Sequence, residues 1–310
     1  MKKTLLILIA IFCLNVINIH MLYAKPLVDE SFSNSKVKTE KYISYIYEKI
    51  KFPQNGVLSF QAFRNAFYGY LNLVEDGKIS RENILTVCDF TLSSNKKRLW
   101  VIDLKNNKVL FHSLVAHGMG TGEEYATVFS NIQDSHQSSL GFYITQETYT
   151  GNNGYSLKLN GVDGNFNNNA YERAIVIHGA EYVSARFAKD NKRLGRSHGC
   201  PALPVDIASQ VIDKIKNGTC LFIYHTANNY LSKSKWINNP IRNLPRDADF
   251  MDLQVEEVKN NPRYIEPKNI AMNQPEEISE KITSKEKVIS SVIYVEYNSR
   301  TGASDTCIVK

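Results

Sequence analysis

A change of pattern at Ile84 constrains the fold more than any other feature, because a succession of short β-type segments begins there. The segments span residues 85–92, 99–104, 109–115, 141–145, 156–159, 174–177 and 219–225. Connections rich in glycine and asparagine, such as 151–154 and 161–169, lie between the later segments. Short strands with turn residues at this spacing predict a mainly β fold, a sandwich or barrel-like sheet, and disfavour a parallel βαβ fold.

Two stretches of helical periodicity accompany the strands. Residues 40–73 show apolar residues at helical spacing, and a second helix opens at Ser59 with an aromatic stripe that predicts core packing. Another helix is expected from Pro204 to Gly218, with its apolar face toward the core. Because this helix begins just after Cys200, we expect its positive end to lie beside that thiol.

The first residues have the pattern of a signal for export. Met1-Lys2-Lys3 precede an apolar run, and Ala24 offers a small residue at a plausible cleavage point. An uncleaved anchor is the alternative, whereas Phe12 disfavours lipid attachment at Cys13. We therefore expect an exported protein of the periplasm or cell envelope.

The predicted organisation has four parts. A signal peptide (1–24) precedes a helical N-terminal segment (25–83) and a catalytic domain (84–230). Residues 231–310 contain several prolines and acidic pairs, a composition that predicts a partly ordered extension. Within it, 288–297 is predicted to form one more strand or to contact a wall or envelope protein.

Charge and cysteine usage narrow the function classes. Removal of Lys2 and Lys3 leaves a net charge of about +4, too weak to argue for nucleic acid but compatible with an anionic cell wall. Cys88 and Cys220 lie in strand-like apolar runs and predict buried core thiols. Cys200 lies in a loop, and we expect it to be free.

The chemistry centres on Cys200 and on His178, which lies 22 positions before it. A thiol with an imidazole to deprotonate it is the minimum apparatus for nucleophilic acyl transfer. His178 ends an apolar strand and predicts the general base, oriented by a backbone carbonyl of Gly179 or a neighbour. The amides of Gly199 and Cys200 are natural oxyanion-hole donors, because Gly199 lets a substrate carbonyl approach the backbone.

Three neighbours of Cys200 have two interpretations each. His198 either touches the thiol or shapes the loop through a hydrogen bond. Arg196 either binds a substrate carboxylate in a bidentate pair or forms a structural salt bridge. Ser197 is expected to cap the turn rather than to react.

The assembled motifs resemble the L,D-transpeptidase catalytic domain, the YkuD-like family. The runs A-I-V-I-H-G-A-E-Y-V-S and G-R-S-H-G-C-P-A-L-P are most similar to its YkuD-2 branch. Upstream runs agree: L-V-A-H-G at 114–118, F-S-N at 129–131 and S-S-L-G-F-Y at 138–143. The resemblance covers residues 88–230. It implies a YkuD-like β-sandwich domain whose cysteine attacks a peptidoglycan stem peptide, with no cofactor.

Carried onto this sequence, the resemblance makes Cys200 the nucleophile and His178 the base, with the remaining site formed by His198, Gly199, Arg196, Ser197, Gly179 and His117. For His117 a structural role at a strand end is the alternative to a place in the substrate pocket. Two departures leave the acyl acceptor open. The loop between His178 and Ser197 holds 18 residues, longer than the usual family spacing, and Pro201 follows the cysteine.

Three other functions compete with transpeptidation. An L,D-carboxypeptidase or another cell-wall cysteine hydrolase would use the same apparatus with water as acceptor. A zinc site of His178, His198 and Cys200 has suitable ligand types but lacks paired ligand spacing. A non-catalytic wall-binding protein would keep the fold without turnover.

Overall fold

Eight strands form one mixed sheet in the computed structural model, which describes residues 30–245. The strands are β1 (Ile84–Asp89), β2 (Leu99–Asp103), β3 (Lys108–Ser113), β4 (Gly141–Gly151), β5 (Gly154–Gly161), β6 (Val176–Gly179), β7 (Ala202–Leu203) and β8 (Cys220–Tyr224). Their order across the sheet is β3-β2-β1-β8-β4-β5-β6-β7. The last strand in sequence therefore lies at the centre of the sheet.

Both faces of the sheet are covered around its central strands, whereas the far end of the β4–β5 hairpin is exposed. Every residue of β1, β2 and β8 is buried, as expected for strands packed on both faces. The β4–β5 hairpin turns at Gly151–Gly154, the glycine- and asparagine-rich connection of the sequence, and its far end is exposed. In this half, β6 pairs with β5 antiparallel and with β7 parallel.

Two helices precede the sheet, α1 (Glu30–Lys49) and α2 (Phe60–Glu75). The Ser59 hydroxyl accepts the amide of Ala62 at 3.2 Å and so caps α2. Phe63 and Phe67 of the predicted aromatic stripe are buried, whereas Phe60 is exposed. Since α2 contacts β1 and β8, the N-terminal helices share one hydrophobic core with the sheet.

Four shorter helices follow β6: α3 (Ala185–Asn191), α4 (Val205–Ile215), α5 (Tyr230–Lys233) and α6 (Lys235–Asn238). The predicted face of α4 is buried through Ala208, Val211, Ile212 and Ile215. The expected start of this helix is confirmed to within one residue, because Pro204 is its N-cap, but a short strand lies between Cys200 and the helix. Ala202 and Leu203 continue the chain as β7, so α4 begins only at Val205 and a strand separates its positive end from the thiol.

The beginning of the C-terminal extension contacts the sheet domain. The Trp236 indole donates to Val162 O at 2.7 Å, and the Asn72 amide donates to Trp236 O at 2.9 Å. Tyr230 is fully buried and donates to the Asp163 carboxylate. The first residues of the extension are therefore part of the packed unit.

The mainly β fold class, with a helix after Cys200 and a helical N-terminal segment, is confirmed. The signal peptide, residues 246–310 and the strand expected at 288–297 lie outside the described residues, and the domain boundaries stay predictions. Across 30–245, none of the helices is both long and apolar enough to cross a membrane.

Candidate active site

The turn that carries Cys200 is held by two serine hydroxyls. Ser197 Oγ accepts the Gly199 amide at 3.1 Å and donates to Cys200 O at 2.6 Å. Ser138 Oγ donates to Gly199 O at 3.1 Å. Gly199 has φ +120°, and a Cβ there would lie 2.9 Å from Gln137 O, so the turn requires glycine. The position of the thiol is thus fixed from both sides.

The Cys200 thiol is buried and bonded to backbone. Its Sγ accepts the Val176 amide at 3.4 Å and lies 3.8 Å from Ala174 O, an acceptor for the S–H. Burial raises the pKa of Cys200, while the Val176 N–H and the Arg173 charge act to lower it. Because burial has the largest effect, the resting thiol is protonated and needs a base.

His178 is the predicted base. It is the third residue of β6 and lies in register with Ala202 of β7, the second residue after Cys200. Its Nδ1 lies 3.0 Å from Gly179 O; a carbonyl can only accept, so Nδ1 carries the hydrogen and Nε2 keeps its lone pair. Burial lowers the pKa of His178, which keeps the ring neutral near pH 7. Gly179 therefore acts through its carbonyl, the orienting acceptor expected from the sequence.

A cleft of about 450 Å³ contains the thiol and the imidazole. Five of the eight residues predicted for the site line it: Cys200, His178, His198, Arg196 and Ser197. Its other lining residues were not predicted: Gln133, Asp134, His136, Asn153, Arg173, Ala174 and Tyr182. No hydrogen bond joins Cys200 to His178 in the described part of the chain, so proton transfer requires an approach of the two side chains within this cleft.

His117 does not belong to the cleft. It is fully buried, its Nδ1 accepts from Arg98 Nη2 at 2.8 Å, and its Nε2 lies 3.3 Å from Gly122 O. Burial and the Arg98 charge lower the pKa of His117 to about 4. Both ring nitrogens are bonded within the protein, which fits the structural alternative, and the place of His117 in a substrate pocket stays a prediction.

The neighbours of Cys200 mostly shape the site. His198 is exposed and stacks on His136 with ring centroids 4.2 Å apart. Arg196 Nη1 lies 2.7 Å from a Glu123 oxygen and also donates to Gly122 O at 2.9 Å. The Gly199 amide already has an acceptor in Ser197. No hydrogen bond from the Cys200 amide occurs among the described residues, and its oxyanion role stays a prediction.

Arg173 and Tyr182 are the residues that sequence reasoning missed beside the thiol. Arg173 lies shortly before β6, the strand that contains His178. This proximity in sequence to the predicted base is the feature from which Arg173 could have been predicted. Burial raises the pKa of Tyr182 to about 12, so its hydroxyl stays protonated. Among residues 30–245, no group of three or more His, Cys, Asp or Glu side chains is placed to hold a metal ion.

Comparison with known proteins identifies the family of the chain. A family model described as L,D-transpeptidase catalytic domain matches residues 54–224, more than half of the chain. The chain belongs to this family. L,D-transpeptidases act on the cell wall, and the match begins before α2, so the family region includes that helix as well as the sheet.

Solved L,D-transpeptidases align at low identity. One from Mycobacterium smegmatis is 12% identical, with 46% of this chain and 59% of the other covered at a TM-score of 0.30. One from Stackebrandtia nassauensis is 13% identical, with 53% and 65% covered at a TM-score of 0.29. This chain thus spans less than two thirds of the length of these structures. No curated protein matches.

Proposed function

We propose that this protein is an exported cysteine acyltransferase, an L,D-transpeptidase that acts on peptidoglycan stem peptides through a Cys200 acyl-enzyme. One observation carries the proposal. His178 and Cys200 line the same cleft, and the bond of His178 Nδ1 to Gly179 O leaves Nε2 free to take the thiol proton. A neutral imidazole beside a protonated thiol is the starting state of general-base catalysis.

The first half-reaction forms a thioester. His178 Nε2 takes the Cys200 proton as Sγ attacks the carbonyl of the L-centre that precedes a D-amino acid. The carbonyl oxygen becomes an oxyanion, for which the Cys200 amide is the proposed hydrogen-bond donor. Collapse breaks the peptide bond, and the imidazolium returns its proton to the leaving D-amino acid.

The second half-reaction decides between transfer and hydrolysis. An amine from a neighbouring stem loses a proton to His178 as it attacks the thioester, and Cys200 leaves as the thiolate and is reprotonated. Water in place of the amine gives the L,D-carboxypeptidase outcome. The cleft is open and polar, with Arg196, His198 and Asn153 on its walls, so an acceptor strand has polar partners where it enters.

The test is muropeptide analysis with purified protein and two cysteine variants. Cross-linked dimers from the wild type and none from Cys200→Ala support transpeptidation, whereas trimmed tripeptides support the carboxypeptidase. The control, Cys220→Ala, removes a fully buried core thiol and keeps the products of the wild type. Unchanged muropeptides with folded wild-type protein would contradict both enzymes and leave a wall-binding protein.

Export has its own test. Expression of the full chain in a host with an envelope is expected to give a mature protein beginning at Lys25, measured by intact mass. A retained Met1 with the protein in the cytoplasm would contradict export without affecting the chemistry proposed for Cys200.

A further inference from the structure

Arg173 is a buried cation whose partners are all neutral. Its Nη1 donates to Ser130 O at 3.0 Å and to Ser139 Oγ at 2.5 Å. Its Nη2 donates to Gln137 O at 2.8 Å and to Ser135 Oγ at 3.2 Å. The Nε is buried without a hydrogen-bond partner. A guanidinium hydrogen-bonded only to neutral groups has no bonded carboxylate that would offset its charge.

The guanidinium of Arg173 lies close to the turn that carries Cys200. A Cβ added to Gly199 would lie 3.5 Å from Arg173 Nη2, so the guanidinium packs behind the residue that precedes Cys200. Burial lowers the pKa of Arg173, and the charges of Tyr143, Cys200 and Asp134 act in the opposite direction. The cation and the thiol are therefore electrostatic neighbours with no carboxylate bonded between them.

The other groups around the thiol do not provide this charge. The titratable and charged side chains that share the cleft with Cys200 and Arg173 are His178, His198, His136, Tyr182, Arg196 and Asp134. Arg196 is paired with the exposed Glu123, and β7 separates the N-terminus of α4 from the cysteine. Among residues 30–245, Arg173 is the charged side chain that lowers the pKa of Cys200.

We propose that Arg173 is the fixed positive charge that stabilises the Cys200 thiolate, a positioning residue that acts on the nucleophile without touching substrate. The proposal rests on the role of Cys200 as nucleophile. It explains how a thiol buried among backbone groups ionises when the base is oriented by a carbonyl rather than by a carboxylate. The competing explanation is that Arg173 only ties the segment 130–139 to the site.

The test measures thiol ionisation rather than turnover, so its failure differs from failure of the proposed function. Iodoacetamide alkylation of Cys200 is followed by mass spectrometry across pH, with the fully buried Cys88 and Cys220 as internal references. Arg173→Gln is expected to raise the apparent pKa of Cys200 by about one pH unit, since a nearby opposite charge lowers a pKa by about 1–3 units. Arg173→Lys keeps the charge and is expected to keep most of the wild-type value.

If Arg173→Gln fails to fold, Ser135→Asp tests whether the charge of Arg173 lowers the pKa of Cys200. Ser135 is partly exposed and already accepts from Arg173, so an aspartate there strengthens the tie while neutralising the charge. We expect the apparent pKa of Cys200 measured by alkylation to be higher in Ser135→Asp than in Ser135→Asn, whose side chain is isosteric with aspartate but neutral. Gln133→Glu, which adds a carboxylate to the same cleft away from these bonds, is expected to shift it less than half as far.

The two explanations predict opposite results. A merely structural tie predicts that Ser135→Asp leaves the pKa at the Ser135→Asn value, and that Arg173→Gln speeds alkylation at every pH by loosening the site. Either result overturns the proposal. An equal shift in Gln133→Glu and Ser135→Asp also overturns it, because the effect would then belong to the added carboxylate and not to Arg173.

Discussion

Two His-Gly pairs end two apolar runs of this chain, and they flank the same turn from opposite sides. His117-Gly118 ends L-V-A-H-G, and His178-Gly179 ends I-V-I-H-G. Ala202 pairs with His178 on one side and with Ala116 on the other. Both imidazoles are buried and neutral, yet only His178 lines the cleft.

The difference lies in the second ring nitrogen. In His117 both nitrogens are bonded, one of them to the buried guanidinium of Arg98. In His178, Nδ1 is bonded to a backbone carbonyl, Nε2 has no hydrogen-bond partner among the described residues, and the residue lines the same cleft as Cys200. Similar local sequence thus gives a histidine bonded through both ring nitrogens at His117 and one bonded through a single ring nitrogen, as the proposed base requires, at His178.

The glycines of the two pairs provide the largest expected contrast. In Gly118→Ala the new Cβ would lie 2.4 Å from His136 O and 2.9 Å from Gly199 Cα, both backbone atoms. Relief of that overlap requires movement of the nucleophile turn, so we expect a loss of about 3 kcal/mol or more in the free energy of unfolding. In Gly179→Ala the nearest atom is the Ala208 Cβ at 3.1 Å, and we expect a loss of about 1 kcal/mol. Urea denaturation compares the two, and equal losses would contradict the contrast.

Acid should destabilise the protein through His117. Its pKa in the folded state is about 4, below the ordinary 6.5, so the unfolded state binds the proton more tightly. The stability from a neutral His117 is present above pH 6.5 and is lost as the pH falls toward 4, a loss of about 3 kcal/mol. Unfolding of the wild type and of His117→Gln from pH 7 to 4 measures it. Parallel pH profiles for the two would show that His117 is not the group responsible.

The fall of activity at low pH is expected to follow the protonation of His178 and not that of His117. Because burial lowers the pKa of His178 below 6.5, the base stays neutral through mildly acidic pH. We expect kcat/KM to be retained at pH 6.5 and to fall only at lower pH, as the imidazole becomes protonated. His117→Gln should leave this limb unchanged wherever the protein is folded. An acid limb centred above pH 6.5 would contradict the burial effect.

The sequence predicts the nucleophile and the base because both lie in recognisable short motifs. The strands, the α4 face and the His178 and Cys200 positions follow from apolar periodicity and from one motif. The sequence leaves the role of His117 open between a pocket residue and a structural one, because its partners Arg98 and Gly122 are not adjacent to it along the chain. It also missed β7, whose two residues are too short for any period, and Arg173, whose partners lie more than 30 positions before it.

The most direct test of the account is the acylation rate of Cys200 by a carbapenem in the wild type, His178→Gln and His117→Gln, followed by intact mass at a pH where all three are folded. We expect a loss of about 10²–10⁴-fold in His178→Gln, the usual contribution of a general base, and a rate within about threefold of the wild type in His117→Gln. A loss in His117→Gln that matched or exceeded the loss in His178→Gln would contradict the assignment of His178 as the base.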